Sequence, residues 1–215
     1  MNTSPDPGSS SSASKAAPGR ITGPDEAVEA LVLGNERFLA DSTDHPNHEA
    51  ARRRGADGQH PFAAIVRCAD SRVAPELVFD RTLGELFVCG VAGNVPTPEV
   101  VASLEYAVEM LETPLVVVMG HSGCGAVQAA IDHAENPDGL PGHLPDLIRQ
   151  VLPACTETAA AAEHLSAAVE RNVRNGMKRI ADRSTLIAAA VEAGRCRIAG
   201  GVYDLTTGRF DFIRD

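Results

Sequence analysis

Two almost uninterrupted apolar runs, Phe62 to Val66 and Leu115 to Met119, constrain the fold of this chain more than any other feature. Each is closed by glycine or polar residues, which fits a strand covered on both faces of a parallel sheet. A third run, Glu85 to Cys89, lies between them. Behind it, Thr97-Pro98-Glu99 reads as a helix start, with Val100, Val101, Leu104, Val108 and Leu111 at helical spacing. Strand, helix, strand in this order predicts a right-handed parallel crossover. Further helices are expected from Gly123–Gly125 to Ala134, over 143–155, and over 157–193 with a break near Arg183. Arg195 to Tyr203 and Arg209 to Ile213, joined by Thr206-Thr207-Gly208, read as a closing antiparallel pair. The expected fold class is α/β, a mostly parallel central sheet flanked by helices, with an N-terminal helical arm and a C-terminal helical region plus closing strands.

Three segments are expected. Residues 1–20 are rich in Ser, Pro and Gly and bury too little apolar surface to offset their ordering entropy, so they read as a disordered tail. Residues 21–60 read as a helical arm and linker. A helix opens at Thr22-Gly23-Pro24-Asp25-Glu26, with proline in the first turn and two early carboxylates. Leu31, Val32, Leu33, Phe38 and Leu39 form its apolar side, and the polar stretch Asp41 to His60, with Arg52, Arg53 and Arg54, separates it from the body. Such an arm has no core of its own and is expected to dock elsewhere, on a second subunit. Residues 61–215 read as the α/β body of the chain.

Charge narrows the partners. The chain of 215 residues carries 29 acidic and 19 basic side chains, a formal charge of −10. That argues against nucleic acid and anionic membranes, whose phosphates draw on clustered Lys and Arg. With 4% aromatics and no Trp, stacking on bases or glycans is disfavoured. Five cysteines, widely spaced at Cys68, Cys89, Cys124, Cys155 and Cys196, do not form a disulfide framework, which points to a reducing compartment. With no signal-peptide core and no membrane-length apolar run, the expected location is the cytoplasm.

In open α/β sheets, ligands bind beyond the carboxyl ends of the strands. Two polar clusters stand at such ends: Cys68-Ala69-Asp70-Ser71-Arg72 after the first run, and Gly120-His121-Ser122-Gly123-Cys124-Gly125 after Leu115 to Met119. If these strands are neighbours, one imidazole and two thiols converge. Cys68, His121 and Cys124 make a borderline-soft donor set that suits zinc, with Zn–S near about 2.3 Å and Zn–N near about 2.0 Å. Gly123 and Gly125 give the backbone room to aim His121 and Cys124 together, and a helix start at Cys124 favours its thiolate. Three protein ligands leave one tetrahedral position for water, the arrangement of a catalytic zinc. Two thiolates and a neutral imidazole make a formally neutral centre and a weak Lewis acid, so the water needs help to ionise. Asp70 can accept its hydrogen bond, and Arg72 can hold Asp70 ionised through a bidentate pair.

Either motif alone is weak, since a buried cysteine beside a surface ion pair explains Cys-x-Asp-x-Arg equally well. Their joint occurrence, each directly after an apolar strand, is what points to a metal. Cys89, Cys155 and Cys196 read as small buried hydrophobes. His45 and His48 read as a solvated loop, and His60, His133, His143 and His164 as surface or capping residues. Ser122 is no nucleophile, because a metal-bound His121 has no lone pair left to serve as its base.

These residues resemble the signature of the beta-class carbonic anhydrases, and the similarity runs from about Ala27 to Asp215. It includes Gly84-Glu85-Leu86-Phe87-Val88, Ala92-Gly93-Asn94, Ser103-Leu104-Glu105-Tyr106-Ala107 and Gly201-Val202-Tyr203-Asp204. The resemblance implies Cys68, His121 and Cys124 as ligands of one Zn2+ per subunit, Asp70 with Arg72 as the catalytic dyad, and reversible hydration of carbon dioxide to bicarbonate and a proton. It also implies a substrate side made by Gln59, Phe87, Val91, Tyr106 and Gly125, and a homodimer or tetramer formed through the arm and the sheet. One departure stands out: Phe87-Val88-Cys89-Gly90-Val91-Ala92 has Gly90 where most members carry Arg. With no Trp in the chain, only Tyr203 of an inhibitory bicarbonate pocket found in one subgroup is left, so no such pocket is expected, and the lost Arg bears on the subunit interface. Met110 stands where some members have a histidine, so no proton shuttle is named. Two other readings stay open: hydrolysis of carbonyl sulfide or carbon disulfide on the same site, and a non-enzymatic zinc protein closed by Asp70.

Overall fold

A computed structural model of the chain describes residues 20–44 and 48–214. The expected tail over 1–20 therefore falls, apart from Arg20, outside the described residues, as does His45; His48 opens a helix.

The elements run in the order α1 (Pro24–Leu39), α2 (His48–Arg54), β1 (Ala63–Arg67), α3 (Pro75–Val78), β2 (Leu86–Gly90), α4 (Pro98–Glu105) and β3 (Leu115–His121). They continue with α5 (Gly125–Asp132), α6 (Leu144–Glu157), α7 (His164–Arg183), α8 (Thr185–Glu192), β4 (Arg197–Tyr203) and β5 (Phe210–Phe212). The five strands form one sheet in the order β2-β1-β3-β4-β5, parallel except for the antiparallel β4–β5 pair. The fold is thus the α/β sheet expected. Ala63 to Val66 and all of β3 are buried, as strands covered on both faces must be. β2 is a half-buried edge strand.

Strand alternation divides the core. Ala63, Ile65, Leu115, Val117 and Met119 face one side with Phe79 and Phe210; Ala64, Val66, Val116 and Val118 face the other with Leu104, Val173, Ile180 and Ile187. A third cluster, under α5, α6 and α7, includes Cys68, Cys124, Val127, Ile148, Val151 and Val169. The helix over 98–105 begins as expected, with the Thr97 hydroxyl accepting from the Val100 N–H, and continues into one π-helical turn over Tyr106–Met110. The break near Arg183 falls at Ser184, whose hydroxyl accepts from the Ile187 N–H and donates to Glu105.

The arm differs from expectation. α1 buries Ala27, Leu31, Gly34 and Asn35, while Val32, Leu33 and Leu39 are 39%, 46% and 37% exposed. Leu31 and Ala27 enter the same core as Ile65 and Phe79. Asn35 secures the dock: its amide donates to the carbonyls of Val78 (3.1 Å) and Gly208 (2.9 Å), and its oxygen accepts from the Phe210 N–H (2.9 Å). The helix therefore leans on its own chain through Ala27, Leu31, Gly34 and Asn35, with Phe38 packed beside them; of the five apolar residues read from the sequence, Val32, Leu33 and Leu39 point outward. α2 and α3, both short, were not foreseen; a polar stretch such as His48–Arg54 has no apolar periodicity to announce a helix.

Candidate metal centre

β1 and β3 are parallel neighbours with Arg67 opposite Met119, so the residues that follow each strand emerge at the same edge of the sheet. β2 and β3 flank β1 on opposite sides, making this a topological switch point. Here the condition set by the sequence is met. The donor atoms of Cys68, His121 and Cys124 lie within 4.8 Å of one another, all three residues are buried, and the two sulfurs are 3.9 Å apart. Among the described residues this is the one His, Cys, Asp and Glu grouping with such spacing.

Each donor is aimed by its local backbone. Cys68 follows the last residue of β1. His121 ends β3, and its Nδ1 lies 2.9 Å from the Ser122 carbonyl, which makes Nδ1 the protonated nitrogen and leaves the Nε2 lone pair free. Nε2 is buried and has no hydrogen-bond partner. Gly123, at φ +63°, reverses the chain so that Cys124 can precede the first turn of α5. Gly125 is an ordinary first helical residue, so only one of the two glycines expected to aid the turn has a left-handed backbone. Ser122 is structural: its N–H donates to the Tyr203 carbonyl and its hydroxyl accepts from the Leu205 N–H.

The electrostatics suit a cation. The Cys124 thiol, donating to the Cys68 sulfur, holds the Cys68 thiol well below its ordinary range; burial opposes this, and His121 with the backbone N–H groups of Asp70 and Gly93 reinforces it. Cys124 is pushed up, by the neighbouring Cys68 sulfur and by burial. Two thiols this close oppose ionising together, whereas a divalent cation would hold both as thiolates. Two sulfurs and an orphaned imidazole nitrogen are the borderline-soft set that zinc prefers, so the residues present fit that ion.

Asp70 flanks the cluster. Its Oδ2 is 4.0 Å from His121 Nε2, and both carboxylate oxygens are held by Arg72, through Nε at 2.9 Å and Nη2 at 2.7 Å, with the Arg72 N–H adding a third bond at 2.9 Å. The Arg72 guanidinium holds the Asp70 carboxyl well below the usual carboxylate range.

Sequence reading missed two supports. The Gly93 N–H donates to the Cys68 sulfur at 3.3 Å, from a turn in which Gly93 has φ +71°. Buried Asn172 of α7 donates to the Gly93 carbonyl at 2.8 Å and so fixes that turn. Asparagine inside the buried stripe Ala168, Val169, Asn172, Val173 and Gly176 was the available signal. The expected substrate-side residues lie in different surroundings. Gln59 is exposed, between α2 and β1. Phe87 and Tyr106 pair with each other, ring centroids 6.4 Å apart. The Val91 N–H donates to the Arg67 carbonyl, and Gly125 is exposed at the head of α5.

Comparison with known proteins agrees with this geometry. The family model described as carbonic anhydrase matches residues 63–210. Carbonic anhydrase 2 of Mycobacterium tuberculosis strain H37Rv is 42% identical over 193 residues, covering 87% of this chain and 92% of that protein. A carbonic anhydrase of Pseudomonas aeruginosa is 38% identical over 196 residues, 85% and 86% of the two chains. Among solved structures, the Coccomyxa beta-carbonic anhydrase in complex with acetazolamide superposes with a TM-score of 0.69 at 28% identity, covering 84% of each chain. The fold also matches two tetrameric beta-carbonic anhydrases of Sordaria macrospora, with a TM-score of 0.70 at 22% identity over 87% of this chain and 98% of theirs. A parallel-sheet edge that gathers two sulfurs and an imidazole beside an arginine-held aspartate, in a chain this similar to those enzymes, belongs to the beta-class carbonic anhydrase family, whose members are carbonate dehydratases.

Proposed function

We propose that this chain interconverts carbon dioxide and bicarbonate on a zinc ion held by Cys68, His121 and Cys124. The observation that carries the reading is the buried Nε2 of His121, with no hydrogen-bond partner and within 4.8 Å of two sulfurs. A zinc ion held by these residues would act as a Lewis acid that lowers the pKa of water. The chain's own residues do the rest. Asp70, kept ionised by Arg72, accepts a hydrogen bond from the attacking oxygen and so orients its lone pair toward the carbon. Gln59, with nearby backbone N–H groups, steadies the oxygen on which charge develops. Phe87, Val91, Tyr106 and Gly125 line the approach of a small apolar substrate. Because both Asp70 oxygens are engaged by Arg72, Asp70 is a hydrogen-bond acceptor and not a fourth ligand, which favours an enzyme over a structural zinc site.

The assembly is a homodimer or tetramer. The outward Val32, Leu33 and Leu39 of α1 and the open edge of β2 support it, as does the tetrameric state named for the Sordaria enzymes. Phe87, Tyr106 and Gln59 then take their places against a second copy. Among the described residues no helix is long and apolar enough to cross a membrane, and five unpaired cysteines suit the reducing cytoplasm.

The test is the zinc content of purified protein followed by stopped-flow carbon dioxide hydration, with carbonyl sulfide and carbon disulfide assayed in parallel. Stoichiometric zinc and rapid hydration are expected. Turnover of only the sulfur gases would reassign the substrate, and bound zinc without turnover of any gas would make the site structural.

A further inference from the structure

Arg67 is the one charged residue of β1, directly before Cys68. Alternation puts it on the face of Ala63 and Ile65, where its partner across the β1–β2 pair is Gly90. A Cβ at Gly90 would lie 3.2 Å from Arg67 Cζ, 3.3 Å from Nη2 and 3.4 Å from Nε. Distances this even, with the central carbon nearest, mean that the guanidinium turns its flat face to the Gly90 backbone. A side chain at residue 90 would press on that face, and the guanidinium would have to give by a few tenths of an ångström. From it, Nη1 donates to the Cys68 carbonyl at 2.7 Å, and the Arg67 carbonyl accepts from the Val91 N–H at 3.1 Å. Val91 leads into the turn whose Gly93 N–H reaches the Cys68 sulfur. Arg67 Nε is buried without a hydrogen-bond partner, and among the described residues no carboxylate pairs with this guanidinium. A buried donor left unpaired in this way costs stability and needs an offsetting role.

We infer that Arg67 and Gly90 act as one positioning unit for the metal centre: the guanidinium, seated on Gly90, clamps the Cys68 carbonyl and so sets the direction in which the Cys68 sulfur leaves β1. This rests on the reading of Cys68 as a zinc ligand. Partners that orient metal ligands are worth about 10–100-fold in metal affinity. The unit also makes a specific claim about Gly90, namely that its missing side chain is space reserved for Arg67.

The experiment measures zinc release to a chelator from the loaded protein, and thermal melting of the metal-free protein, for wild type, Arg67→Ala, Arg67→Lys, Gly90→Val and the double variant Arg67→Ala/Gly90→Val. Valine suits an edge strand, so Gly90→Val folds even if Arg67→Ala does not. Release is expected to be about tenfold or more faster in Arg67→Ala and in Gly90→Val, with metal-free melting nearly unchanged. The double variant is expected to be no worse than the poorer single, since both remove the same contact. Arg67→Lys, which can still donate to the Cys68 carbonyl, is expected to recover part of the loss. Wild-type release rates in either single, multiplying effects in the double, or an equal fall in metal-free stability would overturn the inference while leaving the zinc site intact. A wild-type protein that takes up no zinc would overturn both readings.

Discussion

The Asp70 carboxylate stands 4.0 Å from the free Nε2 of His121, yet it is Arg72 that holds both of its oxygens. On the proposed reading, Asp70 is close enough to touch what the three donors would bind and is kept by Arg72 from joining them. Removing either member of the pair therefore has a different consequence.

Asp70→Ala loses the acceptor that orients the attacking oxygen. Turnover is expected to fall by about 10²-fold or more, the usual scale for a positioned acid or base, with zinc content unchanged. Stopped-flow hydration beside metal analysis measures both. Arg72→Ala frees Asp70 to turn toward the donors, and a loss of similar size is expected, accompanied by a new oxygen ligand in the spectrum of the cobalt-substituted protein. An active Arg72→Ala enzyme would contradict the role given to the ion pair.

The pH dependence has two separable parts. The folded pKa of Asp70 lies below its unfolded value of about 3.9. The pair therefore stabilises the fold above that value, and the contribution is lost as pH falls through the folded pKa. In metal-free protein, the melting difference between wild type and Asp70→Asn is expected to shrink from pH 6 to pH 2.5; because Arg72 is 60% exposed, screening keeps it small and its sign is the test. Turnover follows a different group. Two thiolates weaken the Lewis acid, so activity is expected to climb from neutral to alkaline pH while Asp70 stays ionised throughout. A flat rate profile between pH 7 and 9 would contradict the donor set.

Asn35→Ala removes three hydrogen bonds, two of them buried, that join α1 to Val78, Gly208 and Phe210. It is expected to destabilise the protein by about 3 kcal/mol, because the partners stay buried without replacements. Urea unfolding measures this, and a loss below about 1 kcal/mol would mean that the helix docks by apolar contact alone.

Cys196 is 3% exposed, and burial pushes its thiol up to about 11. At pH 8 roughly one such thiol in a thousand is ionised. The native protein is expected to leave Cys196 unmodified by a thiol reagent, as mapped by mass spectrometry, and to expose it on unfolding.

Strand positions, the Thr97 helix start, the break at Ser184 and the strand ends at which Cys68, His121 and Cys124 gather were legible from the chain because each depends on residues near in sequence: apolar runs, caps and turn chemistry. The burial of α1 was not. Leu31 was read correctly, but Val32, Leu33 and Leu39 also look like its core face by composition; the surface it meets, with Phe79 and Phe210, comes from residues far along the chain and selects Ala27, Gly34 and Asn35 beside Leu31 instead. The hydrogen bond from Gly93 to Cys68, its brace by Asn172, and the seating of Arg67 on Gly90 were equally hidden, since strand register and helix docking create them. Local sequence thus determined which groups are available for chemistry and at which strand ends they stand; the tertiary structure alone decided what aims them, because hydrogen-bond direction and close approach exist only between surfaces that folding has brought together.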